Sequence, residues 1–311
     1  MFNRYLLQKL FRAGLTICII VTFVFVALRM SGDAALQIYG ADVDEAVLEA
    51  LRKSWGLDKP IWQQYLSYVG NIFRGELGTS YLDGRDAIEV VMERIPKTLS
   101  LMWITAIVTF LIGIPAGIYS ALHHNTAIDR STMTLAVMGL SVPNFFLGVL
   151  LILLFSVTWR LLPSAGSESW RHYILPVITM ATAEASVFAR FMRSSMLEVL
   201  SQPYIRTAMA KGVPWRKVVF EHALPNAAIP TVTVAGFFVG SLIVGGVITE
   251  NVFAWPGVGR LLVDSVANRD LAVVQVAILL IAVSMVTTNL IVDLSYGWLD
   301  PRVRDLQTKK Q

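Results

Sequence analysis

The side chains able to do acid–base, nucleophilic or metal chemistry are few and widely spaced. There is one cysteine, Cys18, and four histidines, His123, His124, His172 and His222. A lone cysteine excludes an intrachain disulfide framework and a cysteine zinc site, and none of the histidines has metal-ligand spacing. Two features are more informative. Glu184 is a carboxylate inside an apolar run, with no basic residue three or four positions away on its own helix face. An ionisable group at membrane depth is expensive and usually faces a bundle interior or a wet cavity. Two readings fit it: a residue lining a path through the bundle, or a protonated, hydrogen-bonded packing residue. The second feature is a polar, basic island at residues 204–230, YIRTAMAKGVPWRKVVFEHALPNAAIP, between two apolar segments.

The elements that must position these residues are membrane spans. The chain has 311 residues, 55% hydrophobic and 15% charged, where soluble domains carry about 25% charged residues. Apolar runs of about twenty residues have the length of a bilayer crossing. Spans are expected near residues 10–28, 99–121, 133–157, 173–191, 227–248 and 271–294. The first has a basic flank, Arg4, Lys9 and Arg12, and is read as an uncleaved span, since residues 31–34 make a poor cleavage site. Gly113 and Gly117, with Pro115 between them, give the second span a small-xxx-small face that admits close helix approach. Pro143 is expected to kink the third. The pairs Gly236/Gly240 and Gly245/Gly246 suggest close contacts on the fifth. The fold class is therefore an all-α polytopic membrane protein with six transmembrane helices and both termini cytoplasmic. The net charge of +4 is modest. The bases gather beside the spans, as the positive-inside rule requires, so nucleic acid is not an expected partner.

Residues 30–96 form a long extracytoplasmic segment. Residues 42–55 and 60–73 read as amphipathic helices, the latter with Ile61, Tyr65, Tyr68, Val69 and Ile72 as its apolar stripe. The segment serves either as a cap on the outer helix ends or as a platform for a soluble delivery protein. Residues 97–295 form the transmembrane core, with a loop at 200–226 that holds most of the island, and residues 296–311 a basic cytoplasmic tail. Residues 250–270 read as an outer loop.

Within the island, Pro203 suits a first helical turn, residues 204–211 read as helix, and Gly212 fits the left-handed position just past its end. A second helix is expected over residues 215–224, stopped by Pro225. Ala208 and Ala210 are small enough to let a partner approach the backbone. Arg206, Lys211, Arg216 and Lys217 are suited to acids on a partner or to anionic headgroups. Spacing alone fits both a docking element and an interfacial hairpin.

Ala208, Gly212 and Leu224-Pro225 resemble the EAA loop of ATP-binding-cassette importer permeases, a pattern of Glu-Ala-Ala, three residues, Gly, nine residues, Ile-x-Leu-Pro. Arg206 and Thr207 replace its first two residues and His222 its Ile. Arg206-Thr207-Ala208 followed by Ala210-Lys211-Gly212 is similar to the form in the dipeptide/oligopeptide (nickel) permease branch. Gly56-Leu57-Asp58 with Pro60 and Gln64-Tyr65, residues 75–80, residues 253–264 (FAWPGVGRLLVD) with Arg269-Asp270 and Gln275, and residues 300–304 (DPRVR) resemble other signatures of that branch, in order along the chain. One departure is Ser31-Gly32-Asp33-Ala34, where the family commonly has Pro-Gly-Asp-Pro. The long outer segment resembles that of the first of the two permease subunits.

The resemblance implies a type I importer permease fold in a bacterial inner membrane and inward transport of peptides, with no enzymatic chemistry in this chain. Nickel chelates, glutathione, opines or oligosaccharides are the alternative solutes. It implies four kinds of partner: a second permease, two ATP-binding subunits, a substrate-binding protein and the lipid bilayer. The chain has no Gly-Lys dipeptide, so it lacks a phosphate-cradling G-x-x-x-x-G-K-[ST] loop. ATP and magnesium are expected on the partner subunits, and no cofactor or metal in this chain. Arg206, Thr207, Ala208, Lys211, Gly212, Leu224 and Pro225 are the implied coupling residues. A proton-coupled secondary transporter, with Glu184 as proton site through a desolvated carboxyl, is the competing class, and a non-transporting scaffold a third.

Overall fold

The computed structural model describes residues 2–30, 44–54 and 56–299. The signature at 300–304 and the departure at 31–34 lie outside these residues. In chain order the helices are α1 Phe2–Met30, α2 Glu45–Ser54, α3 Ile61–Arg74, α4 Ala87–Met92, α5 Ile95–Leu122, α6 Ala127–Ser141, α7 Asn144–Leu151, α8 Arg171–Leu200, α9 Pro203–Ala210, α10 Trp215–Lys217, α11 Leu224–Val252, α12 Val258–Ala267 and α13 Leu271–Leu299. Wider π turns continue α7 over Ile152–Thr158 and join α10 to α11 over Val218–Ala223. Among the described residues one isolated antiparallel bridge, Thr79 to Asp86, is the only β pairing. The chain divides into two compact units, Met1–Pro96 with Pro256–Ile291, and Lys97–Trp255 with Val292–Gln311.

In the first unit, α3 starts after Pro60 and ends at Gly75, whose φ of 75° lets its N–H reach the carbonyls of Asn71 and Ile72. Tyr65, Tyr68, Val69 and Ile72 are half-buried as the stripe predicts, whereas Ile61, in the first turn, is exposed. The tyrosines pack on Phe25 of α1 at ring distances of 5.3 and 5.6 Å, and Tyr65 OH meets Thr22 Oγ1 at 2.8 Å. The region read as an outer loop is a correction to the sequence reading. Its first residues still belong to α11, and α12 occupies most of the remainder. Val258, Leu261, Leu262 and Ser265 recur at helical spacing on one face, and Val258 packs with Val90 and Val91 of α4 and Val273 of α13. Asp270, 1% exposed, ties the entry of α13 to the outer segment by accepting from Ser80 Oγ.

In the second unit, α5 and α8 cross with their backbones nearly touching. A Cβ on Gly113 would sit 2.7 Å from Ala185 O, and one on Gly117 2.5 Å from Ala189 O. The small-xxx-small pattern is thus a packing face, as read. Above it, Phe110 of α5, Phe188 of α8 and Phe238 of α11 form a three-ring cluster with centroid distances of 5.0, 5.6 and 5.3 Å. Of the glycines read as contacts on the fifth span, Gly246 approaches Met102, whose Cε would lie 3.1 Å from an added Cβ.

Two span expectations are corrected. The third span is broken, not kinked: α6 and α7 with its π turn meet at 96°. Pro143 forces the preceding residue out of the helical region, and Val142 is accordingly extended at φ −89°, ψ 119°. The fourth helix runs to Leu200 instead of ending near residue 191, so Arg190 and Arg193 are helical.

Gly117→Val should cost roughly 1–3 kcal/mol, the range for overpacking a filled interface, and lower the melting temperature of the detergent-purified protein. Gly70→Ala, on α3 with open space around its Cβ position, should leave it unchanged or raise it, since glycine in a helix interior disfavours folding by roughly 0.5–1 kcal/mol. Equal melting curves for the two variants would contradict the close approach.

Candidate functional site

The basic island folds as α9, a tight turn, and the start of a long helix. Pro203 occupies the first turn of α9. The helix closes with paired bonds, Val213 N to Ala208 O at 3.2 Å and Gly212 N to Met209 O at 3.0 Å. This six-to-one plus five-to-two pattern requires a left-handed residue at the position after the cap. Gly212 supplies it with φ 80° and nothing within 4 Å of its Cβ position. The constraint there is backbone conformation, not space.

Pro225 does not stop a second helix, as the sequence reading had it. The chain stays helical from Trp215 to Val252. Proline lacks the N–H that an α-helix needs and collides with the carbonyl four residues back. Here the π turn over Val218–Ala223 widens the helix just before it. Pro225 then falls in the first turn of α11, and Asn226 Nδ2 donates to His222 O at 2.7 Å.

The element has two faces. Ile205, Val218, Val219, Ala223 and Ala227 are buried with Ala121 of α5 and Met192 and Met196 of α8, and Ala208, Val213 and Leu224 pack against this cluster. Ala208 therefore turns inward, while Ala210 is exposed. On the other face Arg206, Thr207, Lys211, Gly212, Arg216, Lys217 and Pro225 are exposed. So are four large residues, Tyr204 at 44%, Met209 at 44%, Trp215 at 50% and Phe220 at 56%. Tyr, Trp, Met and Arg are the types enriched in protein interfaces. These four were missed in the sequence, although their alternation with buried aliphatics was the available signal.

Sequence reading also missed an ion pair that joins a buried carboxylate to a partly exposed guanidinium. Asp129, in the first turn of α6, is 3% exposed. Its Oδ1 accepts from Arg193 Nε and Ser120 Oγ, both at 2.6 Å. Its Oδ2 accepts from Arg193 Nη2 at 2.7 Å and Asn125 N at 3.0 Å. His124 Nδ1 lies 3.2 Å from both Asp129 Oδ2 and Arg193 Nη2. Toward the other end of α5, Thr98 Oγ1 donates to Glu250 Oε1 at 2.7 Å, with Glu250 1% exposed. Trp255, fully buried, donates from Nε1 to Lys97 O at 3.0 Å. Glu184 is half-buried on α8, far in sequence from the island, and is not brought into the cluster.

The helices define a polytopic membrane protein. Residues 113–305 match the binding-protein-dependent transport system inner membrane component family, and residues 1–102 match the N-terminal domain of such membrane components. The chain is 42% identical over 301 residues to the glutathione transport system permease protein GsiC of Escherichia coli O6:H1, covering 96% of this chain and 98% of that protein. It is 43% identical to GsiC of Salmonella choleraesuis over the same shares. An inward-facing structure of the MetNI methionine ABC transporter superposes with a TM-score of 0.52 at 19% identity, covering 66% of this chain and 95% of that one. The chain belongs to the family of inner-membrane components of binding-protein-dependent transport systems. It is an ABC importer permease with the type I fold, a multi-pass protein of the bacterial inner membrane, and a transport component, not an enzyme. ATPase and substrate-binding partners follow from that membership. The expected family is borne out, and the proton-coupled class is set aside.

Ile205→Ala should destabilise the protein by about 2–5 kcal/mol, the range for emptying a filled apolar site. Tyr204→Ala, one residue away but exposed, should change stability by less than about 0.5 kcal/mol. Thermal unfolding of the two variants checks this, and a reversal of their order would invert the assignment of faces.

Proposed function

We propose that this chain is one of two permeases in a complex with two ATP-binding subunits and an extracytoplasmic binding protein, and that it imports peptide-like solutes. ATP and magnesium act on the ATP-binding subunits. The six spans are α1, α5, the bent pair α6–α7, α8, α11 and α13, with both termini in the cytoplasm. The observation that carries the reading is the two-faced element from Pro203 to Pro225. A basic, aromatic face is held outward by a fully buried aliphatic face. A docking element that must transmit force needs both properties, an exposed surface for the partner and a dry anchor in the bundle.

Arg206, Thr207, Lys211 and Gly212 present the surface to the ATPase. Ala208 and Leu224 seat the element, and Pro225 sets where the long helix begins. ATP-driven closure of the ATPase pair moves this element, and the bundle rocks with it. Glu184 contributes to the solute path. A glutathione-class peptide is the favoured solute, because the relatives with matching length carry that name. Nickel chelates, opines and oligosaccharides are the competing cargoes.

The test is reconstitution of the complete complex in liposomes, with glutathione, a dipeptide, a nickel chelate and an oligosaccharide as probes. ATP-dependent accumulation of glutathione or the dipeptide is expected. Gly212→Val strains a left-handed position by roughly 1–2 kcal/mol and should abolish uptake while the complex still assembles. Glu184→Gln should leave the ATP requirement intact. Normal uptake by Gly212→Val would overturn the role of the turn, and uptake without the ATPase would overturn the whole reading.

A further inference from the structure

The Asp129–Arg193 pair invites a question that the fold alone does not answer. Ion pairs contribute little to stability on either side of the surface: solvent screens the exposed charge and desolvation offsets the attraction of the buried one, so apolar replacements of similar volume are often neutral or stabilising. Yet here one carboxylate makes five contacts to four residues in three segments: Ser120 on α5, His124 and Asn125 in the α5–α6 turn, and a bidentate guanidinium on α8. Asn125 adopts a left-handed φ of 64° to aim its N–H at Oδ2. The glycine contact places this arrangement, since an added Cβ at Gly117 would lie 3.1 Å from Arg193 N. The pair and the anchor of the docking element share two helices. Met192, next in sequence to Arg193 on α8, and Ala121, next to Ser120 on α5, both belong to the buried cluster that holds Ile205, Val218 and Val219.

We propose that Asp129 and Arg193 are positioning residues that lock the ends of α5, α6 and α8 into one rigid body, so that displacement of the docking element moves these helices together. A bidentate guanidinium–carboxylate contact fixes orientation as well as distance. Apolar side chains filling the same space would hold the ends together but let them slide. The pair thus contributes stiffness to the transmission, not net stability. This rests on the coupling role proposed above for residues 203–225.

The decisive variant is the apolar double substitution Asp129→Leu with Arg193→Met, made in a Ser120→Ala background so that neither an unpaired charge nor a buried hydroxyl without its acceptor remains. It is compared with wild type in the reconstituted complex by two readouts. The first is ATP-dependent uptake of glutathione. The second is the width of the distance distribution between spin labels at Leu135→Cys and Glu221→Cys, in a Cys18→Ser background. The double variant should assemble, melt near the wild-type temperature and keep basal ATPase activity. Its uptake should fall about tenfold, within the range of typical coupling energies, and its label distribution should broaden. Wild-type uptake with an unchanged distribution would overturn the proposal. So would loss of assembly in the double variant, which would make the pair a plain stability element. If the wild-type complex accumulates no glutathione, the solute assignment falls and the label width still decides the rigidity of the pair.

Discussion

The backbone contact between α5 and α8 is the constraint on which the second unit depends. Lipid chains are as apolar as leucine, so helices in a bilayer gain little from burying aliphatic surface against each other and more from close packing. Gly113 and Gly117 remove the side chains that would hold α5 away from α8. With the axes this close, Phe110 and Phe188 come into edge-to-face contact and Phe238 of α11 closes the triangle. The same approach brings the α8 guanidinium within reach of the turn after α5.

Hydroxyls near both ends of α5 meet buried carboxylates. Thr98 binds Glu250 and Ser120 binds Asp129, about 33 Å apart at helical rise. Polar groups in an apolar surround are directional where dispersion contacts are not, and a wrong register leaves a donor or acceptor without water to replace its partner. Two such bonds on one helix define its rotation and axial position against α6, α8 and α11, while the glycines define its distance from α8.

Local chemistry was legible in the sequence wherever one residue type dictates the backbone. Gly212 in the left-handed region, Pro203 in a first turn and Pro60 before α3 all follow from torsional preferences. Pro143 announced a disruption of the third span, but the extended residue before it turned a kink into a break. Pro225 was misread because the same preferences allow two outcomes, a stop or a first turn, and the π turn that selects between them has no residue-type signature. Asp129 and Arg193 are 64 positions apart. Each alone looks like a charge at a membrane boundary, and only the helix crossing brings them together. Glu250 was assigned to a loop because hydropathy falls there, although the helix continues to Val252. The family was recognisable through the order of Ala208, Gly212 and Leu224-Pro225, whereas the exposed Tyr204, Met209, Trp215 and Phe220 needed the fold to separate them from the buried Ile205, Val218 and Val219.

The unbroken helical path from Trp215 to Val252 has a mechanical corollary. It is a rod of about 56 Å, with its foot in the basic island and its far end at the buried Glu250. An α-helix is stiff along its axis, so a load at the foot reaches the far end with little loss. The π turn at Val218–Ala223 is the one stretch where this rod carries a surplus residue. Surplus length of that kind works as a dislocation does in a lattice: every residue after it is one step out of phase with the turns before it, along a single continuous axis.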